Sequence, residues 1–192
     1  AGRLASAFVV ETGDQQEFPG PLSDIDALIS PLPVLRPEVW RLARAVADRA
    51  AGSANDVLRL AIPPRQVRVE KAWLARPEAE PMALESSPIS GFALLEEAVD
   101  AGRRVALTPE PGVVAQPSGA WAGRWAVTLA QTAARVVAGG STAILVVPDY
   151  RDQEQVAAAL EQLVPAELIA RWDARQPNPD RYRALLRAAG MP

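Results

Sequence analysis

The chain has 192 residues, 49% hydrophobic and 22% charged, with a formal net charge of −3 and neither His nor Cys. That composition excludes zinc sites of the usual N/S type, Ser-His and Cys-His pairs, and disulfides. Of 20 basic residues only Lys71 is Lys, which leaves little from which to build a phosphate-gripping lysine or a Schiff base.

Length allows one or two domains, at about 100–200 residues each. No run approaches the ~18 apolar residues that span a bilayer. No basic segment followed by an apolar run marks a signal peptide, and the lack of cysteine fits a reducing cytoplasm. Charge is spread unevenly: residues 1–35 carry net −4, 36–71 net +4, 72–118 net −4 and 119–192 net +1. A basic block such as 36–71 attracts phosphate backbones or forms a solvated face, and charge alone leaves both open.

The chain opens at Ala1 without Met and reads as part of something longer. Phe8, Val10 and their neighbours make a β-prone run ended by Thr12-Gly13-Asp14. Residues 25–29 suggest a second strand, closed by Pro31 and Pro33. Pro37 suits the first turn of a helix running to about Ala51, with Val39, Leu42, Ala43, Val46 and Ala50 on one face. Gly52 stops it, and Ser53 with Asp56 forms a capping box for a short helix that Pro63 and Pro64 end. Residues 65–75 alternate apolar and polar and are expected to be a short exposed strand. The acidic, proline-containing stretch that follows reads as a linker.

Ser87-Pro88 then starts a helix that ends at Gly102. Beyond it strands and helices alternate: strand 105–108, helix 124–138, strand 143–147, helix 151–163, a weaker strand at 168–172, and a last helix from Asn178-Pro179 to Gly190. The run AILVV, apolar on both faces, suits a buried parallel strand, and the alternation predicts a parallel α/β sheet. A P-loop would place G-x-x-x-x-G-K-[ST] in the first βα turn of this region. Gly112, Gly119 and Gly123 are there, but no Lys-Ser or Lys-Thr pair follows any of them. Trp121 and Trp125 flank that turn and read as core filling the space a nucleotide would take. Glu96 and Glu97, adjacent on a helix, point apart and make no acid/base pair.

Two segments, in order, are similar to one family. Residues 30–70 resemble the end of the DNA-binding domain of primosomal protein N-prime, the PriA replication-restart helicases, on Gly52, Asp56, Val57, Leu58, Pro63 and Pro64. Residues 138–160 resemble the strand and motif Ia of that family's first helicase lobe, with Val147-Pro148-Asp149 standing for its Val-Pro-Glu. The P-loop's place is taken by PEPGVVAQPSGAWAG, as in actinobacterial members that keep the fold and lose the ATP-binding signature. The resemblance implies a DNA-binding, primosome-assembling protein that recognises stalled or abandoned forks without unwinding DNA. Its expected partners are fork or junction DNA and primosome and helicase-loading proteins, in the cytoplasm at the nucleoid, with no membrane. It also implies truncation at both ends: most of a 3′-end pocket would precede Ala1, and the zinc insert, the magnesium motif and the second lobe would follow Pro192. No cofactor is expected in the chain itself. The alternative is a nucleotide-binding lobe in which helix 124–138 holds phosphate by its leading N–H groups alone.

The expected fold is therefore α/β: a partial β-plus-helix DNA-binding domain at 1–72, an acidic Pro-rich linker at 73–88, and a parallel RecA-like lobe fragment at 89–192. Candidate phosphate contacts are Arg36, Arg41, Arg44, Arg65 and Arg68, because guanidinium forks match phosphate geometry; a merely solvated face stays open beside that reading. The loop Pro148, Asp149, Tyr150 and Arg151 follows a strand's C-terminal end, where α/β ligands bind. Tyr150 there could stack on a base, or Asp149 simply caps the next helix. From the resemblance come Gly2 and Arg3, at the remnant of the 3′-end pocket. No residue is assigned a catalytic, cofactor-binding or metal-binding role.

Overall fold

A computed structural model of the chain describes residues 5–13, 19–77, 84–86 and 88–190. Its elements in chain order are α1 (Pro37–Arg49), α2 (Ala54–Ala61), α3 (Val67–Leu74), α4 (Ala93–Asp100), β1 (Val113–Ala115), β2 (Trp121–Gly123), α5 (Arg124–Ala138), α6 (Tyr150–Leu160), a 3-10 turn at Ala166–Leu168, and α7 (Asn178–Ala188). Contacts divide them into two units, Ala1–Arg76 with Arg175–Pro192, and Pro77–Ala174. The second unit is thus inserted between two parts of the first. One boundary falls within the 73–88 stretch expected as a linker. The other gives α7, expected to close the lobe, to the first unit.

In the first unit, Pro37 sits at the start of α1, where its fixed φ suits the helix and no N–H is needed. The face α1 buries carries Ala43 and Ala47, packed against Ala54, Leu58 and Ile62, with Val39 and Trp40 beside them. Leu42 and Val46, expected on that face, are exposed. The inward stripe is set by alanines, whose small side chains let α1 and α2 approach closely. The helix ends on a left-handed residue at Ala51 (φ 50°) rather than at Gly52, and the Gly52 N–H reaches back to the Ala47 carbonyl at 2.8 Å. Ser53 caps α2, its hydroxyl accepting from the Asn55 N–H.

The expected strand at 65–75 is instead the helix α3. The Val67/Val69 alternation imitates a strand, but Val69, Glu70 and Trp73 turn inward together at helical spacing while Arg68 and Lys71 stay exposed. Val69 and Trp73 join a second cluster built on Leu32, Tyr182 and Leu186, so α7 supplies the core that α3 needs. Leu185 of α7 touches both clusters and ties them together.

The two strands expected near the N-terminus do not appear: among the described residues, 5–13 and 21–30 join no ladder. Strands are stabilised by cross-strand partners, and no partner pairs with these runs; Ile25 and Leu28 accordingly lie exposed.

The second unit also departs from the parallel sheet. Its one described ladder is the antiparallel hairpin β1–β2, which pairs Val113 with Gly123 and Ala115 with Trp121. Residues 105–108 and 143–147 join no ladder, and the expected strand at 168–172 begins as the 3-10 turn. Where AILVV was expected to be covered on both faces, it is covered on one. Leu145 and Val147 line a cavity of about 130 Å³ with residues of α5 and α6, while Ile144 (89% exposed) and Val146 (87%) face outward. Helix α5 spans the residues expected of it and packs on α6; both bury mainly alanines. Trp121, expected in the core, is 67% exposed, and Trp125 is half-buried. The described residues of this unit show helices and a small hairpin, with no parallel ladder among them that would mark a RecA-like lobe.

The left-handed Ala51 carries a Cβ in a conformation that costs L-residues about 1 kcal/mol. Ala51→Gly is expected to raise stability by roughly 0.5 kcal/mol, the relief exceeding the added unfolded-chain entropy. Denaturant unfolding would show this as a higher midpoint at unchanged slope.

Candidate nucleic-acid interface

The basic block and the helix that closes it meet at one buried carboxylate. Glu70, 2% exposed, would cost several kcal/mol if left unpaired. Its Oε1 accepts from Arg65 Nη2 at 2.5 Å and from Arg65 Nε at 3.1 Å. Its Oε2 accepts from the Tyr182 hydroxyl at 2.7 Å and the Ser30 hydroxyl at 2.9 Å. The Arg65 guanidinium foremost, with the two hydroxyls, holds the Glu70 carboxyl down at about 2. Burial first, then its hydrogen bond to Glu70, pushes the Tyr182 phenol up to about 12. Ser30 in turn accepts the Leu32 N–H at 3.2 Å. Residues from three distant parts of the sequence are fixed around one charge.

This arrangement sorts the candidate arginines. Arg65 is spoken for by Glu70. On α1, Arg44 pairs with Asp48 at 2.8 Å; Arg41 and Arg36 lie 3.7 and 4.0 Å from Glu38. All three are exposed, so these pairs are worth little and can yield to phosphate. Arg68, exposed on α3, forms no salt bridge among the described residues. The same holds for Arg49, Arg59 and Lys71, which the sequence reading passed over. A signal was available for Arg49 and Lys71, since neither has an acid three or four positions away. Gly2 and Arg3 lie outside the described residues.

The 148–151 loop is organised as a helix start. Asp149 Oδ1 accepts from the N–H groups of Arg151 and Asp152 at 2.8 and 3.1 Å, which is the capping alternative. Tyr150 and Arg151 remain exposed beyond it, and Arg151 Nε donates to the Tyr150 hydroxyl at 3.3 Å. Pro148 is exposed in the bend before them.

The leading end of α5 is where a nucleotide phosphate would have to sit. There the Gly123 N–H donates to the Gln155 side-chain oxygen at 2.8 Å, and the Arg124 N–H to the Gly112 carbonyl at 2.9 Å. Two of the four N–H groups that a helix start leaves open are thus taken internally. The space over Gly123 is filled as well, since a Cβ there would lie 2.5 Å from the Trp125 indole nitrogen. Part of the helix start and the space over Gly123 are thus occupied by the chain's own groups. Elsewhere in the unit, Arg135 holds Asp100 through two bonds of 2.6 and 2.8 Å and lowers its carboxyl's pKa; this pair braces α4 on α5. No helix among the described residues is long and apolar enough to cross a membrane.

The chain is similar to known proteins in two respects. Residues 1–63 match a family model described as the 3′DNA-binding domain (3′BD) of PriA. Along 189 residues, 97% of the chain, it is 36% identical to the "Probable replication restart protein PriA" of Mycobacterium tuberculosis. It is 34% identical to the protein of that name from Mycobacterium leprae over 190 residues. In both cases the match spans 28% of the relative's length. No solved structure matches the chain significantly.

Because Glu70 has a lower pKa folded than unfolded, its contribution to stability is complete above about 4.5 and drains away as pH falls towards about 2. Glu70→Gln should cost roughly 1–3 kcal/mol at pH 7, by stranding the donors around it. The same variant should lose less stability than the parent between pH 5 and pH 3. Thermal melts of both across that range check the two expectations together.

Proposed function

From the kinship of this chain, along nearly its whole length, with the replication restart proteins PriA, we propose that it serves DNA binding in replication restart. The match of residues 1–63 to a 3′DNA-binding domain carries this reading, and the basic block at 36–71 supports it. In this reading the chain engages stalled or abandoned forks, through phosphate contacts from Arg36, Arg41, Arg44 and Arg68 and a further contact from Tyr150 and Arg151. Arg65 serves by holding Glu70. Its partners are fork or junction DNA, together with primosome and helicase-loading proteins.

The work is done without unwinding by this chain. The internally capped start of α5 supports that, since it leaves half of the usual phosphate-binding donors engaged. A nucleotide-driven lobe is the competing reading, and that same observation disfavours it.

Fluorescence anisotropy of the chain against a labelled fork, a duplex and a single strand, over a salt series, tests the proposal. Preference for the fork with a steep negative salt slope is expected; equal and weak binding to all three would overturn fork recognition. Magnesium-ATP in a thermal melt should leave the midpoint where it is. A ligand at 100 times its Kd would add about 2.7 kcal/mol, so a clear upward shift would restore the nucleotide reading.

A further inference from the structure

Helix α3 begins four residues beyond the end of the matched DNA-binding region, yet it belongs to the same unit. One face of it is immobilised: Glu70 is held by Arg65, Ser30 and Tyr182, and Val69 and Trp73 pack on Leu32, Tyr182 and Leu186. The other face carries Arg68 and Lys71, three residues apart and hence neighbours on the helix surface. Both are exposed, neither forms a salt bridge among the described residues, and no acid lies three or four positions from either. Two uncompensated cations therefore stand side by side on a helix that cannot easily turn.

We propose that this outer face of α3 is a DNA-contacting surface in its own right, with Arg68 and Lys71 gripping successive phosphates of the duplex arm. The proposal rests on the DNA-binding reading above and extends it past the matched domain. Charge complementarity selects the partner: an isolated pair of cations attracts a polyanion, and held in place it pays little ordering cost on contact. Such contacts position DNA and carry no sequence preference.

Anisotropy with a labelled duplex over a salt series reads the claim directly, in the full chain. Each phosphate contact contributes about 0.9 to the slope of log affinity against log salt. Arg68→Ala combined with Lys71→Ala is therefore expected to make that slope shallower by about 1.8. Arg103→Ala combined with Arg104→Ala, the same charge change at exposed positions of the other unit, should leave the slope as it was. An unchanged slope in the α3 variant overturns the proposal while DNA binding stands. Equal flattening in both variants also overturns it, because net charge would then be the cause. A parent chain with no salt-dependent binding overturns the DNA-binding reading and this proposal with it.

Discussion

A carboxylate withdrawn from water must find donors, and the chain has to fold so as to bring them. Glu70 meets this demand with Arg65 five residues away, Ser30 forty residues away and Tyr182 across a separation of 112. The cost of leaving such a group half-satisfied runs to several kcal/mol, so the arrangement is close to obligatory once Glu70 is buried. Around it sit the apolar residues of α3 and α7, and Leu185 carries the packing on to the α1–α2 pair. The first unit depends on this one charge for the meeting of its distant parts.

That dependence shapes what the unit can do. Pairing Arg65 with the buried Glu70 uses up one cation of the basic block and leaves Arg68 and Lys71 without a salt bridge among the described residues. Helix α3 has an inner face of Val69, Glu70 and Trp73 and a cationic outer face of Arg68 and Lys71. Insertion of residues 77–174 between α3 and α7 means that the second unit joins the first at two points of the chain.

Much of the helical content was legible in the sequence because local punctuation marks it. Pro37, Ser53, the Gly139-Gly140 pair and Asn178-Pro179 lie at or beside real helix ends, and each acts through its own backbone preference or side chain. Strands were less legible, since a ladder depends on a partner: Ile25, Ile144 and Val146 have the β-prone side chains, but no described neighbour pairs with them. Helix α3 was missed for a different reason. Its inward face is a carboxylate flanked by a valine and a tryptophan, and nothing local announces that a glutamate will be buried. The candidate site was legible as a cationic block, but not in its division of labour. Arg65 and Arg68 look alike in sequence; Arg65 pairs with the Glu70 that Ser30 and Tyr182 help to hold, while Arg68 faces out.

Helices α1–α3 and α7 belong to one unit, closed through Glu70. Native-state hydrogen exchange measures this directly, because amides of one cooperative unit open with a common free energy. Protected amides of 178–188 should share the opening free energy of those in 37–49 and 67–74, and Tyr182→Phe should lower all three sets together. Exchange of α7 at a much lower free energy, with α1–α3 still protected, would contradict it.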